Sequence, residues 1–303
     1  MKPLSGTVWV GEMDDRVYHS DPCVEPSLSS SLAGIICNES LAHANLRHPK
    51  FGGQPIKSST DMDDGDMLHA LLLTGDNSEL VALIDELNPK TKEAYADFKT
   101  KRARELRDIA LEQGKTPVLP HKMRIIRSMY QNIYEAMCAK DLGLIGHGQA
   151  EQVVLWTETA KDGMEVQCRA KLDHWDLERQ LMTELKTGAS AKPSKCEKRI
   201  TDDGLDIQLA AYESALVHHF PDLAGRDIVR WVFVEKEPPW AVTEMWPSEA
   251  MLEIGRRKWR YAVNRFAEAL ESGYWPDYTG KEPVHAFPSA WAMEDAERRF
   301  GDE

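Results

Sequence analysis

Thiol chemistry has little to work with in this chain. The five cysteines, Cys23, Cys37, Cys138, Cys168 and Cys196, are scattered and include no CxxC pair. Their odd number opposes a closed disulfide framework, and neither zinc-finger nor iron–sulfur spacing occurs. Reduced, mostly buried thiols are expected. Long apolar runs are also missing. The most compact one, Leu68 to Leu73, is broken by His69 and falls far short of the roughly 20 residues that span a bilayer. No membrane association is expected. Met1-Lys2-Pro3-Leu4 has no apolar core of a secretory signal, which predicts a cytoplasmic protein. Positive charge is scarce: 37 Lys and Arg stand against 50 Asp and Glu, a net charge of −13. That balance opposes an extensive nucleic-acid-binding surface, although it leaves room for a local basic path. Three stretches qualify for such a path. They are Lys99 to Arg107, Arg256 to Arg260, and the sparser Lys186, Lys192, Lys195, Lys198 and Arg199. Each is otherwise a solvated helix face or loop. Internal repeats and low-complexity segments are absent.

What the chain has is enough apolar material, 42% of 303 residues, for one substantial core with a helical appendage. The first thirty residues read as irregular, with a serine N-cap before Leu32-Ala33-Gly34-Ile35-Ile36. Residues 49–66 read as a loop, although a helix is predicted to begin near Asp64 and to place Met67, Leu68, Leu71 and Leu72 on one face. Residues 91–113 look helical and highly charged, and 120–140 carry Met123, Ile126, Met129, Tyr130 and Ile133 at helical spacing. The pattern then changes. Glu151 to Thr157 is a β-type run, and Lys161-Asp162-Gly163 supplies hairpin turn chemistry. From Met164 to Asp173 the chain alternates: Met164, Val166, Cys168, Ala170 and Leu172 share one face, and Glu165, Gln167, Arg169, Lys171 and Asp173 the other. A third strand, Leu181 to Thr187, precedes a polar lysine loop with Pro193. A helix over 204–219, a buried strand over 228–235, a helix over 248–271 and a Trp/Pro-rich tail complete the reading. The order implies an α/β layered arrangement around a small mixed sheet.

Chemistry concentrates between Arg169 and Lys186. A strand period of two puts Glu184 and Lys186 on one face, with Leu185 turned inward. Asp173 ends the preceding strand on its polar face. Two carboxylates and the Leu185 carbonyl can build a magnesium site beside the Lys186 ammonium, since magnesium takes hard oxygen ligands. Lys186 would then orient or deprotonate the attacking water, or neutralise charge on a phosphoryl transition state. The bland alternative is a solvated Glu–Lys pair at a strand edge. Gln208 and Tyr212, four apart on a helix, can support the substrate or a bound water, or can be ordinary helix surface. His69 is either a satisfied helix residue or a ligand tolerated by manganese. Glu151 is an outer carboxylate or a solvated strand end.

In order, Gly65-x-x-x-His69, Glu151-Gln-Val-Val-Leu-Trp156, Cys168-Arg-Ala-Lys-Leu-Asp173, Glu184-Leu-Lys186-Thr187 and Gln208-x-x-x-Tyr212 resemble the exonuclease VIII (RecE) family. That family lies in the RecB-like branch of the PD-(D/E)xK nucleases. Pro26 to Ser31, Trp275-Pro276 and Pro288 to Trp291 resemble it too. The resemblance implies a restriction-endonuclease-like PD-(D/E)xK core at 119–280, a helical region at 1–118 packed on it and a tail at 281–303. It implies a double-stranded DNA exonuclease that works 5′ to 3′ and leaves 3′ single strands for recombination in a phage or prophage setting. Two Mg²⁺ or Mn²⁺ ions, a toroidal homo-oligomer and a single-strand annealing partner are part of the same implication. Carried over, His69, Asp173 and Glu184 bind metal and Lys186 is catalytic. Glu184 departs from exonuclease VIII, which has an Asp there. A structure-specific or single-strand endonuclease on the same fold, or a degenerate DNA-binding protein, are the rival readings.

Overall fold

The computed structural model describes residues 4–53, 60–75, 78, 81–144 and 147–301. Part of the expected 49–66 loop, residues 54–59, lies outside them. The elements begin with β1 (Val8–Gly11), α1 (Asp15–His19), α2 (Ser30–Asn38), α3 (Leu41–Arg47) and α4 (Thr60–Thr74). Next come β2 (Val81–Leu83), α5 (Lys101–Glu112), β3 (Thr116–Val118) and α6 (Pro120–Ala139). The core continues through β4 (Gln149–Thr159), β5 (Glu165–Asp176), β6 (Leu181–Gly188), α7 (Pro193–Asp202) and α8 (Leu205–His219). It ends with β7 (Val229–Glu235), β8 (Val242–Met245), α9 (Glu249–Ser272) and α10 (Ala290–Phe300).

Six strands form one mixed sheet in the order β1-β4-β5-β6-β7-β8. All neighbours are antiparallel except β6 and β7, which are parallel because α7 and α8 carry the chain across between them. The β4–β5 hairpin closes where sequence places a turn. The Ala160 N–H donates to the Met164 carbonyl at 2.8 Å, and Gly163 takes φ +89°, which side chains disfavour. The alternation of β5 holds. Val166, Cys168, Ala170 and Leu172 enter a core shared with α2, α8 and α9. On the opposite face Leu185, Val232 and Val234 pack against Leu68 and Leu72 of α4 and Ile133 and Met137 of α6. β7 therefore reads as a continuous apolar run, since Trp231 and Phe233 serve one core and Val232 and Val234 the other. Burying each such side chain contributes about 1.5–3 kcal/mol. α9 crosses α8 closely enough that a Cβ on Gly255 would collide with the Asp206 carbonyl oxygen.

Several sequence expectations need correction. The lysine loop is helical as α7: Pro193 occupies the first turn, where its missing N–H costs nothing, and Cys196 and Ile200 are buried. The helix expected over 91–113 begins only at Lys101, capped by Thr100. The irregular first thirty residues contain β1, which extends the sheet, and α1. The tail contains α10. Among the described residues no helix is long and apolar enough to cross a membrane.

Candidate active site

The site forms where β5 and β6 part. These strands pair only at His174–Thr183, Trp175–Met182 and Asp176–Leu181. Beyond Thr183 the ladder stops, and the Leu185 N–H donates to the Asp173 side chain (Oδ2, 2.9 Å) instead of to a strand partner. In an extended strand the N–H and C=O of one residue point the same way, so the Leu185 carbonyl faces the same opening. Glu184 and Lys186 share the other orientation, and the Lys186 ammonium donates to Glu184 Oε1 at 2.5 Å. Glu184 is 1% exposed, and its Oε2 is buried without a hydrogen-bond partner.

α4 brings His69 to this opening. Its neighbours Leu68 and Leu72 anchor the helix against β6 and β7. The imidazole then projects to Asp173, with Nε2 at 3.0 Å from Oδ2. On its far side Nδ1 lies 3.9 Å from Glu151 Oε1. Glu151 adopts φ +55°, a left-handed conformation that a glutamate rarely takes. It sits across from Asp173, between the Ala150–His174 and Gln152–Leu172 pairs. Lys171 contacts Glu151 Oε2 and donates to Asp15 Oδ1 at 2.5 Å. Gln208 Nε2 donates to the Tyr212 hydroxyl (2.9 Å), which donates to the Lys171 carbonyl (3.2 Å). The Gln208–Tyr212 pair thus braces β5 from behind.

The charges are strongly coupled. Burial opposes the charge on His69, but Asp173, Glu151 and Glu184 outweigh it and raise its pKa to about 9. Burial and the Asp173 carboxylate push Glu184 up to about 8 against the pull of Lys186. Asp173 is held low: burial works against it, and His69, Lys186 and the Leu185 N–H overcome that. Burial raises Glu151 despite Lys171.

All the sequence-derived candidates, His69, Glu151, Asp173, Glu184, Leu185, Lys186, Gln208 and Tyr212, therefore meet at one opening or directly behind it. Sequence reasoning does not reach Lys171 and Asp15. Lys171 stood out only as a polar-face residue of β5, and its partner Asp15 lies 156 positions away. Two of the three basic stretches do not converge here. Arg256 clamps Glu213 at 2.7–2.8 Å, Lys258 holds Asp206 at 2.6 Å, and Arg260 reaches Glu158 at 3.1 Å. In the Lys99–Arg107 stretch, Lys99 meets Asp97, Arg102 meets Glu86, and Arg107 meets Asp108.

Among the described residues, no three His, Cys, Asp or Glu side chains form a ready-made metal cage. The donor set nevertheless suits a hard divalent cation. It offers an orphaned carboxylate oxygen on Glu184, the Asp173 carboxylate and the Leu185 carbonyl. Octahedral coordination at about 2.1 Å sets neighbouring donors about 3 Å apart; His69 Nε2 and Asp173 Oδ2 are 3.0 Å apart, a distance their own hydrogen bond accounts for.

Comparison with known proteins agrees with this architecture. Residues 52–284 match the family model described as "PDDEXK-like domain of unknown function (DUF3799)". The chain belongs to that family. No curated protein matches it significantly. Among solved structures it is similar to a "Putative exonuclease" from Eubacterium rectale, with a TM-score of 0.56 and 10% identity over 96% of this chain and 99% of that one. At that identity the likeness concerns the fold. The PD-(D/E)xK fold read from the motifs is the fold of this family member, and the matched span includes every candidate site residue from His69 to Tyr212.

Proposed function

We propose that this PDDEXK-like protein is a Mg²⁺- or Mn²⁺-dependent exodeoxyribonuclease acting on linear double-stranded DNA. The observation that carries the reading is the opening between β5 and β6. There Asp173 meets His69 and the Leu185 N–H, the adjoining Glu184 meets Lys186, and one buried Glu184 oxygen has no partner. Asp173, Glu184, Leu185 and His69 would hold the metal, two ions in all. Bound there, the ions would supply Lewis acidity to the scissile phosphate and stabilise the leaving oxygen. Lys186 orients the attacking water and neutralises charge that develops on the phosphate oxygens. Tyr212 and Gln208 keep β5, and hence Asp173, in place. Digestion from 5′ to 3′, a toroidal homo-oligomer, a single-strand annealing partner and a role in recombination belong to the same reading and rest on the motif resemblance.

The test is an end-labelled linear duplex and a covalently closed circle, each incubated with Mg²⁺ or with EDTA. Mononucleotide release from the linear DNA alone, abolished by EDTA, is expected. Cutting of the closed circle would reassign the protein as an endonuclease. Salt-sensitive binding without turnover in either metal would make it a degenerate DNA-binding protein.

A further inference from the structure

Lys171 is a cation beside the opening to which the proposed chemistry gives no part. Its ammonium is largely buried, with 19% of the side chain exposed, and it touches two carboxylates, Asp15 from α1 and Glu151 from β4. Glu151 is itself shared: Oε2 meets Lys171 and Oε1 faces His69 Nδ1. His69 passes the sequence on, with Nε2 against Asp173. Contacts therefore run in one line through Asp15, Lys171, Glu151, His69 and Asp173. The backbone of Lys171 is pinned as well, because Tyr212 donates to its carbonyl.

Without a cation beside it, Glu151 would face Asp173 across the strand pair as an uncompensated like charge in a poorly solvated place. Its left-handed backbone shows that the fold holds it there at a conformational cost. An imidazole that binds metal through one nitrogen commonly gives its other N–H to a carboxylate, which sets tautomer and ring orientation. The carboxylate that faces Nδ1 is Glu151, at 3.9 Å, just beyond hydrogen-bond reach. We infer that Lys171, gripped by Asp15, is a positioning residue that sets Glu151 against His69 Nδ1 and so presents His69 Nε2 to a divalent cation shared with Asp173. The inference rests on the metal-binding reading of the site. It adds that the short N-terminal helix α1 tunes metal affinity.

The experiment is Mn²⁺ titration by calorimetry on the DNA-free protein. Lys171→Met is expected to weaken Mn²⁺ binding by about 10–100-fold, the usual effect of removing a partner behind a ligand, with an unchanged circular dichroism spectrum. Lys171→Arg should recover part of the loss. Asp15→Asn, whose side chain is half exposed, should weaken binding in the same direction and serves as the test if Lys171→Met does not fold. Wild-type affinity in the folded variants, alongside loss in His69→Ala, would overturn the inference and leave the metal reading intact. No Mn²⁺ binding by the wild type would instead sink both.

Discussion

Lys186 and His48 show how differently two buried basic groups can act. The Lys186 ammonium lies 2.5 Å from Glu184 Oε1 at the mouth of the opening, with 20% of its side chain exposed. Neither apolar cluster counts Lys186 as a member. On the proposed function, Lys186→Ala is expected to fold normally and to lose at least about two decades in single-turnover rate, the scale of one lost transition-state contact. Single-turnover digestion of labelled duplex measures it, and a variant as fast as wild type would remove Lys186 from the chemistry. His48 is wholly buried among Ser27, Asp21 and Phe266. Its Nε2 lies 3.1 Å from the Ser27 carbonyl, and its Nδ1 accepts the Lys50 N–H at 3.2 Å, a pattern that only the neutral ring satisfies. Burial outweighs Asp21 and holds its pKa down to about 4, against about 6.5 in an unfolded chain. Folding thus favours the neutral form. The contribution is complete above pH 6.5 and is lost as pH falls through about 4. Melting temperature should drop across that window in the wild type and less steeply in His48→Gln. Parallel curves would clear His48 of responsibility.

At the scale of elements, the polar face of β5 works as a ladder of clamps on the N-terminal segment. Gln167 exchanges hydrogen bonds with the backbone of Gly6, Arg169 holds Asp21 and Ser27 beneath the Tyr18 ring, and Lys171 holds Asp15. Arg169 and Asp21 are 5% and 0% exposed at their side chains, so removing one strands the other. Arg169→Ala should cost about 3 kcal/mol in urea unfolding and should expose residues 14–30 to proteolysis. Wild-type protease resistance would show that β5 does not clamp this segment. The alternation that builds the ladder was legible in the sequence, as was the acid–x–lysine strand beside it, because a period of two is a local signal. The partners were not, since Asp15 and Asp21 meet β5 only through pairings about 150 residues apart. The span of α7 reads as a loop in sequence because only Cys196 and Ile200 among its lysines and acids mark a buried stripe. Glu151 is a candidate from sequence, yet its left-handed backbone and its contact with Lys171 depend on the strand register, which no local pattern encodes.

For the whole molecule, the question is how a protein of net charge −13 would hold a polyanion. Most arginines in the basic stretches already face carboxylates. Arg256 and Arg257 sit on Glu213 and Glu253, and Lys198 and Arg199 on Asp202 and Asp203. Lys192 and Lys195 are different. Both are exposed at the start of α7, at the exit of the strand that carries Glu184 and Lys186, and neither has an acidic partner among the described residues. Paired cations contribute little net field, whereas free ammonium groups displace counterions from phosphate. On the proposed function, Lys192→Ala with Lys195→Ala should weaken binding to duplex DNA in EDTA about equally for all sequences. It should also lower the slope of log affinity against log salt by about two, one for each lost phosphate contact. Arg257→Ala, which removes a cation already spent on Glu253, should leave that slope unchanged. Fluorescence anisotropy across a salt series separates the two outcomes. Identical slopes for the double variant and the wild type would move the DNA path away from α7, and a loss confined to Arg257→Ala would place it on α9.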